Sequence, residues 1–417
     1  MTIGIHKTGE STACNIEDMI NWLASFGESG EGGVTRLLYS KPWLSAQQSL
    51  KEKMEDWGIE PYFDDAGNLF GRIEGTENRT KAILTGSHID TVINGGKFDG
   101  AYGILASLLS AKHLLDTYGR PKTSIEVVSL CEEEGSRFPL TFWGSGNLTG
   151  LFDCQKTPAV HDRDGVSIEQ AMKDCGFGKR RYRRPFRRDV KCFIELHIEQ
   201  GSILEESGRQ IGIVTDIVGQ RRFTVMVKGE SNHAGTTPMN ARKDAVAVSA
   251  LCISYLTNKA KAAYPLLTAT VGRIEAKPNV PNVISGEAVF SLDLRHHHDA
   301  VLDRYCDDIF AYFTELAGEW NVQITVEQTT DAKPVRMDRD LIQLSKQSAE
   351  DLDVSYQEMV SGAGHDAQVF GPHCPTSLLF VPSRKGISHS PEEWTKPADL
   401  AAGVELLTHV LYRLAYE

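Results

Sequence analysis

Residues 82–138 read AILTGSHIDTVINGGKFDGAYGILASLLSAKHLLDTYGRPKTSIEVVSLCEEEGSRF, and the fold turns on this stretch. The apolar run 82–86 (AILTG) has the length of a buried strand, residues 102–115 (YGILASLLSAKHLL) are apolar around a strong helix, and residues 124–131 (SIEVVSLC) form a second strand. A βαβ unit in that order carries His88, just past its strand, together with Asp99 and residues 132–134 beyond the same sheet edge. Open α/β sheets place their sites there. One histidine, one aspartate and three glutamates make a mixed nitrogen and oxygen ligand set suited to a first-row divalent metal.

Upstream, Ile20, Leu23 and Phe26 fall at helical spacing, residues 27–33 form a Gly-rich break, and residues 43–57 are a second amphipathic run. Tyr62, Asn68, Phe70 and Ile73 lie in a hairpin-like stretch. Downstream, the pattern weakens over residues 153–189, and residues 191–198 (KCFIELHI) are a strand that delivers His197. From residue 211 the texture becomes alternating strands, at 211–218 and 222–228, followed by a helix at 242–255, strands at 267–274 and 286–295, a helix at 300–316 and a strand at 322–328. The order β-α-β-β-α-β is ferredoxin-like. The expected organisation is therefore a catalytic α/β domain, residues 1–215 and 330–417, with a mixed, mostly parallel sheet flanked by helices. A smaller α+β domain is inserted at residues 216–329. The return segment supplies a helix at 341–352, the loop 361–366 (SGAGHD), a strand at 376–381, His389 and a terminal helix from Asp399.

A chain of 417 residues with 41% hydrophobic content has room for two or three domains at roughly 100–200 residues each. A net charge of −12 argues against a nucleic-acid or anionic-membrane partner over the whole surface. The basic run 179–188 (KRRYRRPFRR) is short, contains Pro185 and sits in an acidic chain, so it reads as a solvated connecting loop. Eight cysteines without CxxC spacing read as reduced structural thiols and suit a cytoplasmic location. The start, MTIGIHKTGE, lacks an apolar core of the kind export signals carry, and no window is apolar for the ~18 residues of a membrane span.

Each constellation has a plainer reading beside the chemical one. His88 with Asp90 two residues on is often an ordinary loop, but in a metal site the carboxylate can hold the ring's other N–H. The glycines before Asp99 lack the spacing of a phosphate loop. Glu132, Glu133 and Glu134 repel one another between apolar segments; a divalent cation relieves that repulsion and leaves one carboxylate free as a base. His197, His233, His365 and His389 each lie near turn glycines, and together with the acidic cluster they point to a site. His296, His297 and His298 lead into a helix near Asp299 and read as mostly surface. Nucleophilic catalysis is disfavoured, since there is no GxSxG and three carboxylates oppose a thiolate at Cys131.

Six ordered motifs spanning nearly the whole chain, GSHIDTVINGGKFDG, EEEGSRF, ELHIEQG, GESNHAGTTPM, SGAGHDA and GISHSPEEWT, resemble the amidase, hydantoinase and carbamoylase branch of the dinuclear-metal aminoacylase and carboxypeptidase superfamily. The resemblance implies two divalent ions per subunit, Mn²⁺ or Zn²⁺, with Asp99 between them. His88 and His197 would complete one ion, and Glu134 and His389 the other. Peptidase members carry an acidic residue where this chain has His197. The resemblance also implies Glu133 as general base, Asp90 as the partner that orients His88, and Gln200, His233, Asn282, Arg295, Gly362 and His365 as substrate-binding or oxyanion-holding residues, with His233 the foremost oxyanion candidate. The inserted domain would close over the site as a lid and form a homodimer, with His233 and Asn282 reaching the neighbouring subunit's cleft. The expected reaction is two-metal hydrolysis of a ureido C–N bond in a small carboxylate substrate, releasing ammonia and CO₂. Arg295 ends a strand whose Ala288, Phe290, Leu292 and Leu294 face one way and Val289, Ser291 and Asp293 the other, so its guanidinium can grip a carboxylate; a salt bridge near Asp293 is the structural alternative.

Overall fold

The computed structural model describes residues 9–417, with side chains from Ile16 onward; the start of the N-terminal stretch and the Cys14 side chain lie outside the described residues. Among these residues, the chain divides into two units, one of residues up to Thr215 and from Arg336 to Glu417, the other Asp216–Val335.

The first unit is built on a mixed sheet. Four strands at its centre, in the order Thr123–Leu130, Asn78–His88, Val190–Ile198 and Thr376–Val381, run parallel. They are buried on both faces over most of their length, which is why the sequence there is rich in apolar and small residues without clean alternation. Antiparallel strands finish the edges: the hairpin Glu60–Phe63 and Leu69–Ile73 on one side, and Ile211–Ile217 with Tyr356–Ser361 on the other. The helices Gly9–Ala24, Ala101–Tyr118 and Pro397–Ala415 pack on one another, and Ala101–Tyr118 lies directly on the parallel strands. That close approach needs Gly103, where a Cβ would come within 2.3 Å of the Leu196 carbonyl oxygen.

The second unit is a five-stranded antiparallel sheet carrying two helices. Gly219–Lys228 lies between Glu287–His296 and Gln323–Ala332, and the short strands Thr268–Thr270 and Ile274–Lys277 pair with the outer side of Glu287–His296. The helices Ala245–Ala263 and Asp299–Glu319 cover the face that carries Phe223, Val225, Val227, Ala288, Phe290, Leu292 and Leu294. Alternation in the sequence is the signature of that one-sided burial.

Several expectations need correction. His88 is the last residue of its strand, not past it, because pairing with Leu130 continues through it. The first helix of the insert begins at Ala245, not 242, since the Asp244 carboxylate caps the N–H groups of Val246 and Ala247 while the Arg242 guanidinium bonds the carbonyls of Ala234 and Thr237. The strand expected at 267–274 is two short strands interrupted around Gly272. The inserted unit runs to Val335, beyond 329, because the strand Gln323–Ala332 stays paired to Gly219–Lys228 across an irregularity at Gln328. His296 is buried, not superficial: its Nδ1 accepts from the His298 N–H and its ring stacks on His297.

Candidate metal centre

The C-terminal ends of the parallel strands bring the sequence-predicted ligands together. His88 ends one strand and His197 lies near the end of the next, Glu133 and Glu134 follow Thr123–Leu130, and His389 follows Thr376–Val381. Asp99 enters from the loop between Asn78–His88 and Ala101–Tyr118 and becomes the hub. Its Oδ1 lies 3.4 Å from His88 Nε2 and 3.1 Å from His197 Nε2, and its Oδ2 lies 3.2 Å from His389 Nε2. His389 Nε2 is in turn 3.5 Å from Glu134 Oε1. Two three-residue donor sets thus share one carboxylate, His88, Asp99 and His197 on one side and Asp99, Glu134 and His389 on the other.

The imidazoles are oriented for ligation. His88 Nδ1 lies 3.1 Å from the Asp90 carbonyl and 3.3 Å from Asp90 Oδ1, and His197 Nδ1 lies 2.9 Å from the Ile198 carbonyl, so each Nδ1 has an acceptor for an N–H and each Nε2 faces Asp99. Asp90 also ties the acidic loop to this frame, since Oδ1 accepts the Glu133 N–H at 2.9 Å and Oδ2 the Glu134 N–H at 3.2 Å. Glu132 has a different job from its neighbours. It is buried, and its carboxylate accepts the backbone N–H groups of Gly135 and Trp143, which closes the loop. Gly100 adopts φ 63, and a Cβ there would meet the His88 carbonyl oxygen at 2.4 Å and the His88 ring at 2.5 Å.

The electrostatics fit a divalent cation. Burial works to raise the Asp99 carboxyl, but the three imidazoles outweigh it and hold it well below the usual range. Burial and the Asp99 charge push Glu134 up to about 8, and burial with the carboxylates of Glu134, Asp366 and Asp90 drives Glu133 well upward. The hydrogen bond to Asp99 lifts His389 to about 9. These shifts describe a cluster that retains protons where a metal would displace them. Glu134 Oε1 is buried without a hydrogen-bond partner, as a ligand oxygen awaiting a cation would be.

Three further residues at this centre were not singled out by the sequence. Glu393 is buried, its Oε1 accepts the N–H groups of Phe98 (2.9 Å) and Asp99 (3.1 Å), and its Oε2 accepts the Ser388 hydroxyl at 2.8 Å. Ser388 Oγ also lies 3.2 Å from Asp99 Oδ2. Arg36 is fully buried, with Nε donating to the Ile89 carbonyl at 2.8 Å and its own N–H donating to Thr91 Oγ1, so it pins the segment that contains Asp90. The signal for Glu393 was present in SPEEWT, beside His389, but an acidic residue in a polar loop carries no mark of burial.

The expected substrate residues divide by unit. Gln200, at φ 57, donates from Nε2 to Asp99 Oδ2 at 2.8 Å, so it sits beside the candidate ligands. His365 is buried with its ring 4.6 Å from that of His197; burial and His197 push its pKa well down, and its Nε2 has no hydrogen-bond partner. Gly362 is exposed in the same loop. In the inserted unit, His233 and Asn282 are exposed and adjacent: the strand Asn232–His233 pairs with Val283–Ile284, and the Ala234 N–H donates to the Asn282 carbonyl. Arg295 has the partner named as its structural alternative, with Nε 3.0 Å from Asp293 Oδ1. Asp293 Oδ2 also accepts from Arg222 Nε and Gln220 Nε2, each at 2.8 Å.

The sequence profile of peptidase family M20/M25/M40 matches residues 84–413, from the strand of His88 to the terminal helix. An allantoate amidohydrolase of Bacillus subtilis (strain 168) is 50% identical over 99% of this chain and 100% of its own length. An allantoate amidohydrolase of Escherichia coli (strain K12) is 46% identical over 96% of this chain and 98% of its own. A crystal structure of an amidase of the hydantoinase/carbamoylase family from Burkholderia multivorans superposes with a TM-score of 0.92 at 33% identity, covering 97% of this chain and 98% of that one. The chain belongs to peptidase family M20/M25/M40 and, within it, to the hydantoinase/carbamoylase amidases.

Proposed function

We propose that the protein is a metal-dependent amidohydrolase that cleaves a ureido C–N bond of allantoate, releasing ammonia and CO₂. The observation that carries the metal reading is Asp99, whose two oxygens each face a separate donor set. The substrate follows from the near full-length identity to two allantoate amidohydrolases.

His88, Asp99 and His197 would hold one divalent ion, and Asp99, Glu134 and His389 the other; Mn²⁺ and Zn²⁺ both suit this imidazole and carboxylate set. Bound there, the ions supply Lewis acidity toward the ureido carbonyl and lower the pKa of the attacking water. Glu133 is the base. Its backbone is anchored by Asp90, its carboxyl is free of the ligand pairs, and the burial that raises its pKa favours taking a proton from water. As the tetrahedral carbon collapses, Glu133 returns that proton to the departing nitrogen, the C–N bond breaks and ammonia leaves. The remaining carbamate falls to CO₂ and an amine. His233 would hold the developing oxyanion, and Arg295 the substrate carboxylate, with Asn282, Gly362 and His365 shaping the rest of the pocket. The inserted unit acts as lid and dimerisation element of a homodimer in this reading.

N-carbamoyl-L-amino acids are the second reading, because they share the carboxylate beside a ureido group. What separates the two is the group on the α-carbon, a second ureido or a side chain that is often apolar. A site that hydrogen-bonds a ureido rejects an apolar analogue by ~10⁴-fold, since its polar atoms are left unpaired. Gln200, Gln220, Asn282 and His365 are polar candidates for that contact, and His365 Nε2 is a buried atom still without a partner. Seven described cysteines are free thiols, which suits a cytoplasmic enzyme, and among the described residues no helix is long and apolar enough to cross a membrane. The test is ammonia release by metal-loaded enzyme across allantoate, N-carbamoyl-L-methionine, N-carbamoyl-β-alanine and ureidoglycolate. Allantoate should give the highest kcat/KM; preference for N-carbamoyl-L-methionine would overturn the substrate and leave the metal chemistry standing.

A further inference from the structure

The basic run 179–188 has no part in the metal centre, and the structure divides it by role. Arg183 lies over the Tyr62 ring at 3.8 Å, Arg187 is paired with Glu126 and Asp189 at 2.6 Å each, and Arg188 sits over Phe186 at 5.3 Å. These cations hold the loop. Arg184 is exposed, and among the described residues its side chain forms no hydrogen bond or ion pair; the same is true of Lys156. Both line a cavity of about 670 Å³ within the first unit, together with Arg180 and the rings of Phe152, Tyr182 and Phe186. None of these residues belongs to the metal cluster.

The cavity is preformed. Asp65 Oδ2 accepts both Gln155 Nε2 (2.6 Å) and the Arg180 N–H (2.8 Å), and Arg180 Nε donates to Gln155 Oε1 at 3.0 Å, so the basic loop is tied down on one side of the opening. Tyr182 is braced by Phe63 and Phe177, with ring centroids 5.9 and 5.3 Å away, yet stays 41% exposed. Two features then converge in one volume: unpaired cations for an anionic group and aromatic side chains for a flat ring. The volume is that of a small-molecule site, not of a water pocket. Lys156, Arg180 and Arg184 outnumber the carboxylates of Asp65 and Asp153 in the lining, in a chain whose net charge is −12.

We infer that this cavity is a second ligand site that takes a nucleoside monophosphate, with the phosphate on Arg184 and Lys156 and the base among Phe152, Tyr182 and Phe186. The inference stands independently of the proposed reaction. Isothermal titration of metal-loaded enzyme with AMP and CMP tests it, with adenosine, cytidine and inorganic phosphate as partial probes. At least one nucleotide should bind saturably at one site per chain, at least tenfold more tightly than its nucleoside and than phosphate. The double variant K156E/R184E should weaken that binding by tenfold or more, and Tyr182→Ala should weaken it without changing the phosphate titration, while both keep wild-type metal content and ureide hydrolysis. Absence of saturable nucleotide binding overturns the inference, as does phosphate binding as tightly as the nucleotide. Equal nucleotide binding by wild type and K156E/R184E also overturns it, because the ligand would then sit elsewhere, such as on the metals.

Discussion

Replacing Glu393 with alanine tests whether Asp99 works as a hub because a buried carboxylate holds its backbone. Glu393 Oε1 accepts two buried N–H groups, those of Phe98 and Asp99. Each buried donor left without a partner costs about 1–3 kcal/mol, so the pair costs at least about 2 kcal/mol. If that cost falls on the arrangement that presents Asp99, it is a factor of about 30 in an equilibrium constant. Glu393→Ala should therefore weaken divalent metal binding by about 30-fold or more, measured by competition with a fluorescent chelator on the metal-stripped protein. Glu393→Gln keeps an oxygen for both N–H groups and a polar group toward Ser388, so its metal affinity should stay within about tenfold of wild type. The pair of variants separates geometry from charge. Wild-type affinity in Glu393→Ala would refute the hub argument, and a Gln variant as impaired as the Ala variant would show that charge, not backbone anchoring, is what Glu393 supplies.

The remaining expectations concern the base, the loop, the carboxylate anchor and the ions. Glu133→Gln should keep metal content and fold but lose about 10²–10⁴ in kcat, whereas Glu134→Gln should lower metal occupancy; near-normal turnover in Glu133→Gln would remove it as base. Gly100→Ala places a methyl against the His88 carbonyl and ring at a positive φ, so the protein should lose thermal stability and metal together, read by melting temperature and elemental analysis. Arg295→Lys should raise KM for carboxylate substrates with metal content unchanged, because a lysine cannot reproduce the fork that now spans Asp293; an unchanged KM would make the Asp293 pair purely structural. Chelation should abolish hydrolysis, and added Mn²⁺ or Zn²⁺ should restore it; full turnover in chelator would contradict metal dependence.

How far the sequence reached depended on whether a residue's role was written in local pattern. The strands Thr123–Leu130 and Thr376–Val381 are recognisable because parallel strands buried on both faces carry apolar runs such as 127–128 and 378–381, and the insert because one-sided burial forces alternation. The candidate ligands His88, Asp99, Glu134, His197 and His389 come as a set from the resemblance carried by the ordered motifs, and the structure brings them within a few ångströms. Arg36, Ser388 and Glu393 were not, since their contribution is to bond backbone groups far away in the chain, and nothing in composition announces a long-range partner. Helix ends failed where a cap decided them: Asp244, not the hydrophobic pattern, fixes the start at Ala245. His296 was misread for a related reason. Three consecutive histidines look polar, but the first continues the buried face of Glu287–His296.

The central claim is that one carboxylate joins two metal sites, and elemental analysis of purified wild-type, Asp99→Ala, His197→Ala and His389→Ala protein tests it most directly. The account predicts about two divalent ions per chain in wild type, about one in each histidine variant and almost none in Asp99→Ala, each variant folded by circular dichroism. An Asp99→Ala protein that retains both ions, or a wild-type protein that never binds more than one, would contradict it.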